Sequence, residues 1–258
     1  MPFFRVHQSV GTIDHELYRW PLTTAAAKVA IRARYQLLDY LYTSLWQQSR
    51  DGSPTTLVPL WFLYPHDTNT LSISTQFFFG DAILVSPVTA EGTSVTIYLP
   101  NDTFYDFWTL RPVHGQGHTT LTVPYTSIPL HIRSGTIIPL RADGANTTTT
   151  LRTLGFRLLI APGSTGATGS LYLDDGASVH PGATSEISFD YSATNSTLRA
   201  SGSFDYDPGV ALEQVVLLGV MAAPKALGPA ATYDPACLCV TYAVNRSLTA
   251  PFEVVLHH

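Results

Sequence analysis

The period of the apolar positions changes once along the chain, around residues 76–88. Before that point Ile31, Tyr35, Leu38, Tyr42 and Leu45 recur at spacings of four and three, with Leu37 and Leu41 widening the stripe. That is one apolar face of a helix. Thr23 or Thr24 can cap its start, and Gly52 with Pro54 stops it, so the pattern predicts a helix over residues 24–50. Residues 2–6 are apolar and turn polar at once, which predicts a strand running into a loop. Residues 56–64, Thr-Leu-Val-Pro-Leu-Trp-Phe-Leu-Tyr, read as a strand covered on both faces, with Pro59 demanding an edge or strand-start position. Strand, loop, long helix and strand make one βαβ unit.

Residues 76–88 are an apolar run broken by Gly80-Asp81 and closed by Pro87. Beyond them only short alternating or apolar runs occur. Strands are predicted at residues 95–99, 104–108, 121–123, 128–132 and 136–140, divided by Gly, Pro and Asn about every ten residues, the spacing of a β-sandwich. The polar stretch 142–150 marks a domain boundary. A second series follows at residues 156–160, 170–173, 186–191, 197–203, 212–218, 237–242 and 252–256. Asp174-Asp175-Gly176 has hairpin-turn chemistry. The fold class is therefore α/β plus all-β.

Composition narrows the function. Charged residues make up 13% of the 258, against about 25% in a typical domain. The net charge of −5 gives no basis for binding nucleic acid or an acidic membrane, and no run reaches the roughly 20 apolar residues of a membrane span. Four of the five asparagines, Asn101, Asn146, Asn195 and Asn245, open an Asn-x-Ser/Thr triplet, which points to N-glycosylation of a secreted protein. The first residues have neither the basic nor the apolar region of a signal peptide. Acceptors without an export signal imply the back end of a longer secreted protein. Cys237 and Cys239, two apart on a predicted strand, are expected as two thiols on one face rather than a bridge. No metal-ligand spacing, phosphate loop or dinucleotide fingerprint occurs, so no metal or cofactor is expected.

The candidate chemistry lies in carboxylates and histidines. Asp14 and Glu16 share a loop with His7 and His15, while Asp81, Asp106, Asp174 and Asp175 sit beside turns. Each has a cheaper reading as a turn former or solvated charge. His114 and His118 flank Gly115 and Gly117 in an expected loop. His7 stands apart because it follows a candidate parallel strand directly. In a β/α barrel the catalytic face is built at strand C-terminal ends. Ser86, in Val-Ser-Pro, is no nucleophile elbow. The residues by themselves give no reaction.

Several segments, in one order, resemble glycoside hydrolase family 31, the α-glucosidase family. They are Pro2-Phe-Phe-Arg-Val-His7, Glu16-Leu-Tyr-Arg-Trp-Pro21, the helix at residues 31–43, Pro59-Leu-Trp-Phe-Leu-Tyr-Pro65, Phe79-Gly-Asp-Ala-Ile-Leu-Val-Ser-Pro-Val88, Phe104-Tyr-Asp-Phe-Trp108, residues 128–139 and Leu171-Tyr-Leu-Asp-Asp-Gly176. The likeness is greatest to the secreted fungal enzymes. It implies the C-terminal piece of a TIM (β/α)8 barrel over residues 1–72, followed by two antiparallel β-sandwich domains over residues 73–148 and 149–258. It also implies a retaining mechanism with two aspartates. The family's Trp-x-Asp-Met-Asn-Glu nucleophile segment and Gly-Asp-Asn acid/base segment do not occur in this chain, so no catalytic residue is assigned. His7 alone carries over, as a substrate-binding group for an α-glucoside or oligosaccharide, and the N-terminal remainder of the enzyme is the implied partner. Two positions depart from the family: Val6 stands for Asn, and Ser134 stands for a Gly of an Arg-Gly-Gly turn. If that Gly needs a positive φ, Ser134 strains the turn. The competing readings are a non-catalytic β module that binds carbohydrate or a partner, with the aromatic run at residues 104–108 as its platform, and a remnant that does not fold alone.

Overall fold

The computed structural model describes residues 5–52, 55–224, 227–228 and 230–257. The predicted helix forms as two. Helix α1 (Pro21–Gln36) and helix α2 (Leu38–Asp51) meet at Leu37, whose φ of −88° and ψ of 6° break the regular spiral. The start is Pro21 rather than Thr24, because proline at the first helical position lacks only an N–H that has no helical acceptor. Thr24 instead donates its hydroxyl to the Leu17 carbonyl at 2.7 Å. The break also selects the buried face. Leu37, Tyr40, Leu41 and Ser44 are buried, whereas Tyr42 and Leu45, expected in the core, are 40% and 47% exposed. Apolar residues here cover more than one arc of the helix, so periodicity alone does not choose which arc meets the sheets.

The expected strand over residues 56–64 does not form. Strand β1 is only Leu57–Val58, and the one-turn helix α3 (Leu60–Leu63) follows immediately. Pro59 is the physical cause: it offers no N–H to a ladder, and with φ −67° and ψ 153° it is the N-cap of α3. β1 pairs antiparallel with β2 (Phe77–Phe79), so no βαβ unit is completed among the described residues. The expected strand at residues 2–6 lies largely outside the described residues, and Arg5 and Val6 are irregular.

Residues 76–88 give β2 and β3 (Ile83–Val85), separated by the Gly80 turn. Then come β4 (Ser94–Leu99), β5 (Thr103–Asp106), β6 (Pro112–His114), β7 (Gly117–Thr122) and β8 (Leu130–Arg133). The first sheet has the order β1-β2-β3-β8-β5-β6 and is antiparallel throughout, while β4 and β7 form a separate ribbon. His114 and His118, expected in a loop, end β6 and belong to β7.

The second sheet contains β9 (Thr136–Arg141), β10 (Phe156–Ala161), β11 (Gly166–Leu173), β12 (Ser185–Ser192), β13 (Thr197–Phe204), β14 (Ala211–Leu217), β15 (Ala231–Asp234), β16 (Cys239–Ser247) and β17 (Phe252–Val255), with a short helix α4 (Thr148–Arg152) before β10. Its order is β15-β16-β14-β10-β9-β11-β12-β13-β17. Two pairings, β10 with β14 and β9 with β11, are parallel, so this sheet is mixed rather than purely antiparallel. Strand β9, expected with the first β series, sits inside the second sheet. It is buried along its whole length and serves two cores: Ile137 packs with Phe156, Phe189 and Val215, while Ile138 and Leu140 pack with Tyr40, Ile83 and Ile132. The turn into β9 is not strained at Ser134. Gly135 takes the left-handed position at φ +79°, and Ser134 donates its hydroxyl to Asp102 Oδ1 at 2.8 Å.

Cys237 and Cys239 are bonded as a disulfide, not two thiols, with Cα atoms 5.3 Å apart. The expectation assumed both on an extended strand. Cys237 instead lies in the turn before β16, and Leu238 between them has φ +56°, which brings the two side chains round to each other.

Helix α2 is tied to both sheets. Tyr40 Oη donates to the Phe79 carbonyl at 2.9 Å and accepts from Ala82 N at 3.1 Å. Gly80, at φ +61°, leaves room for that ring, since a Cβ there would stand 2.1 Å from Tyr40 Oη. Toward the second sheet, Arg141 grips Asp39 with two bonds of 2.7 and 2.8 Å and donates to the Leu154 carbonyl at 2.8 Å. The pair is buried, with side-chain exposures of 3% and 13%.

Removing one partner leaves a buried charge unpaired, so Asp39→Ala is expected to destabilise the chain by about 3–5 kcal/mol. The double change Asp39→Leu with Arg141→Met should recover part of that loss. Denaturant midpoints of the three proteins check it. A second outcome concerns His131 on β8, which is buried with no hydrogen-bond partner at Nδ1. Burial pushes its pKa below the ordinary value, partly opposed by Asp106. The unfolded chain then binds a proton at this site that the folded chain resists, so stability falls as pH drops below about 6.5. His131→Leu is expected to flatten that slope between pH 7 and pH 5 in denaturant titrations.

Candidate functional site

His7 lies on an irregular segment stitched across its base by polar side chains. Gln8 Nε2 donates to Asp14 Oδ1 at 3.0 Å, His15 N donates to Gln8 Oε1 at 2.7 Å, and Arg19 pairs with Asp14 at 3.3 Å. These bonds fold residues 8–15 back on themselves and leave His7 exposed. His7 opens onto a groove of about 730 Å³ walled by Glu16, Tyr18, Lys28 and Ile31. One side of the groove is helix α1, which brings Lys28 and Ile31. The other is the short helical turn Leu17–Arg19, anchored to α1 by the Thr24 bond. Among the described residues Glu16 is the only carboxylate lining it, and Glu16 Oε2 is buried without a hydrogen-bond partner.

One imidazole, one carboxylate and one ammonium beside an exposed Tyr18 can bind a polyhydroxylated ligand. They do not make the opposed carboxylate pair that retaining glycoside cleavage uses. Asp14 is tied to Gln8 and Arg19 in the loop beside His7, and the other candidate carboxylates lie elsewhere, each engaged. Asp81 faces Arg133 at 3.7 Å. Asp106 Oδ1 accepts from Trp108 N and Thr109 N at 3.0 and 2.7 Å. Asp174 is buried and accepts from Tyr42 Oη at 2.7 Å. Asp175 accepts from Ser178 and from the Ala177 N–H, and these bonds hold its carboxyl down at about 2. The loop from β11 to β12 is longer than the hairpin turn expected of Asp174-Asp175-Gly176, since pairing resumes only at Ser185. Phe104, Tyr105 and Phe107 are core residues, and Trp108 spends its Nε1–H on the Ile128 carbonyl at 2.8 Å. Three of the four aromatics of the run are therefore packing, and Trp108 is partly exposed. Among the described residues no cluster of three or more His, Cys, Asp and Glu side chains is placed to hold a metal ion, and no helix is long and apolar enough to cross a membrane.

Lys28 escaped the sequence reading. Its only signal was scarcity, as one of two lysines, on the polar side of α1.

The groove at His7 lies beside helix α1, in a chain built mainly on two β-sheets. Two models of one family match: the glycosyl hydrolases family 31 TIM-barrel domain over residues 1–44, and the glycosyl hydrolase family 31 C-terminal domain over residues 52–138. The chain belongs to glycosyl hydrolase family 31. It is 46% identical to a probable alpha/beta-glucosidase of Arthroderma benhamiae over 99% of its own length and 30% of that protein's. It is 46% identical to one of Aspergillus fumigatus over 98% and 29%. The chain thus spans about 30% of the length of the curated relatives it matches. The structure superposes on the catalytic subunit of an ER glucosidase II heterodimeric complex with a TM-score of 0.86 and 26% identity, covering 98% of this chain and 31% of that one. A Flavobacterium johnsoniae dextranase shares the fold, with a TM-score of 0.74 at 19% identity over 92% of this chain and 33% of that one.

Gln8→Ala removes both bonds that Gln8 makes across the loop. Amide exchange over residues 7–15 is expected to speed severalfold, while global stability changes by about 1 kcal/mol or less. Hydrogen-exchange mass spectrometry alongside thermal melts checks both.

Proposed function

We propose that this chain is the closing section of a retaining glucosidase that releases terminal glucose from α-glucosides such as malto-oligosaccharides. Both catalytic carboxylates lie on the remainder of the enzyme. His7 stands at the mouth of the glucose pocket and hydrogen-bonds hydroxyls of the sugar being cleaved. The observation that carries this reading is the groove at His7 with Glu16 as its one carboxylate. A retaining site sets two carboxyl groups about 5–5.5 Å apart across the scissile bond; the groove holds no such pair, so both come from the remainder of the enzyme. The names of the relatives support the substrate class, and the family supports the barrel.

An apolar surface supports the missing wall. Leu57, Trp61, Phe62 and Leu71 are 51%, 41%, 55% and 64% exposed and follow one another along the segment after α2. Large exposed apolar side chains that cluster mark a covered face; here the cover is the remaining barrel. The enzyme so built is secreted and carries N-linked glycans at Asn101, Asn146, Asn195 and Asn245. All four are exposed, which permits attachment. Asn69 is exposed as well and lies outside any acceptor triplet, so the triplets rather than the exposure favour the reading.

The purified chain is expected to show no turnover of maltose or an aryl α-glucoside. Mixing it with a polypeptide that holds the rest of the family barrel, both carboxylates included, should restore hydrolysis. In that reassembled enzyme His7→Ala should lower kcat/KM by about 10- to 100-fold, the equivalent of roughly 1–3 kcal/mol of lost hydrogen bonding. Ordinary turnover by the chain alone would overturn the proposal.

A further inference from the structure

A second groove, remote in sequence from His7, lies beside one of the four acceptor asparagines. Asn101 sits in the turn from β4 to β5 and is exposed. The next residue is locked. Asp102 Oδ2 accepts from Tyr64 Oη at 2.8 Å, and Oδ1 accepts from Thr103 N at 2.7 Å and from Ser134 Oγ at 2.8 Å. Gly115 N donates to the Asp102 carbonyl at 2.8 Å. The turn is therefore held from four directions, and Asn101 has a fixed point of departure.

Asn101 lines a groove of about 920 Å³ whose walls include Tyr64, His66, Asp67, Tyr98, Gln116 and His118. The groove lies within the range of about 300–1,000 Å³ common for small-ligand pockets. Its chemistry is mixed in the way a sugar ring is mixed. Tyr98 and His118 meet edge to face at 5.0 Å; Tyr98 is buried, and it backs the exposed His118 ring that faces the C–H surface of a sugar. Asp67, Gln116 and His66 supply acceptors and donors for hydroxyls and an acetamide. Asp67 is already oriented, accepting from Tyr98 Oη at 2.6 Å and from Asn69 N at 3.1 Å. Asn195 makes the contrast: it sits at the tip of the β12–β13 hairpin, exposed, beside Ser196 at φ +50°.

We propose that this groove is a cradle for the N-linked glycan of Asn101, whose first N-acetylglucosamine residues lie against His118 and Gln116 instead of projecting into solvent. The proposal rests on the glycosylation reading above. Attachment joins Asn101 Nδ2 to the anomeric carbon of a lipid-linked oligosaccharide. The lipid pyrophosphate leaves with the electron pair of the broken C–O bond, and the proton displaced from the amide passes to solvent. The sugar then covers the mouth of the groove and the end of the β4–β7 ribbon.

The test uses the full 258-residue chain, routed through a glycosylating host and analysed by glycopeptide mass spectrometry. Release of each glycan by a peptide-N-glycosidase is followed on the folded and on the denatured protein. Asn101 is expected to be occupied, with native release at least tenfold slower than from Asn195 and equal rates after denaturation. His118→Ala, and separately Gln116→Ala, should bring native release at Asn101 toward the Asn195 rate, whereas His118→Phe should keep it slow. Occupancy at the other acceptors but not at Asn101 overturns the cradle and leaves the glycosylation reading standing. An occupied Asn101 whose glycan is released as fast as that of Asn195 does the same. Absence of glycan from all four acceptors overturns both.

Discussion

Helix α2 is bonded to two sheets at once, and that double attachment fixes the rest of the molecule. Tyr40 holds the turn between β2 and β3, while Asp39 is gripped by Arg141 from β9. Neither bond is replaceable by water, because the groups are buried. A buried charge pair is a poor source of net stability but a strong source of register, since any slip leaves an ion without its partner. The consequence reaches α1 and the groove, which sit at the far end of the same helical segment. His7 is thus positioned by the β-sheets through α2 and α1, not by a closed barrel.

Strand β9 performs the matching task between the sheets. It leaves the first sheet through the Ser134-Gly135 turn and enters the second, and its alternating side chains are claimed by opposite cores. A strand apolar on both faces accepts no register shift, because each one-residue slip would exchange the two sets. Its length is short and its neighbours are parallel on one side and antiparallel on the other. The two β regions therefore share a strand and a core, and Ile138 and Leu140 meet Tyr40 and Ile132 there.

Much of the β structure was readable from the sequence because alternation is a local property. Strands β4, β10, β12 and β14 fall where short apolar runs between turn residues put them. What was not readable depended on partners distant in sequence. The arc of α2 that is buried depends on Phe79 and Leu140, so Tyr42 and Leu45 looked as apolar as Tyr40 and Leu41. Residues 57–63 are apolar enough for a strand, yet Pro59 and the lack of a parallel neighbour let them turn into a helix. The Cys237–Cys239 bond depended on a local backbone reversal at Leu238 that composition does not signal. The site was the least legible part. His7 had no motif of its own chemistry: its place after a candidate strand singled it out, its role came only from family resemblance, and Lys28 had nothing but rarity.

The groove at His7 and the exposed side chains after α2 make one physical argument from two directions. A carboxylate with a buried, unpartnered oxygen, Glu16 Oε2, is unfavourable as it stands. So is the exposure of Leu57, Trp61, Phe62 and Leu71. Glu16 lies in the part that matches the barrel domain, and Leu57, Trp61, Phe62 and Leu71 lie at the start of the part that matches the C-terminal domain. Large apolar side chains exposed along one segment are what a protein surface shows where a covering layer belongs. A barrel wall laid there would bury the apolar side chains and place polar groups over Glu16. In the proposed enzyme it would also bring the two acids opposite His7.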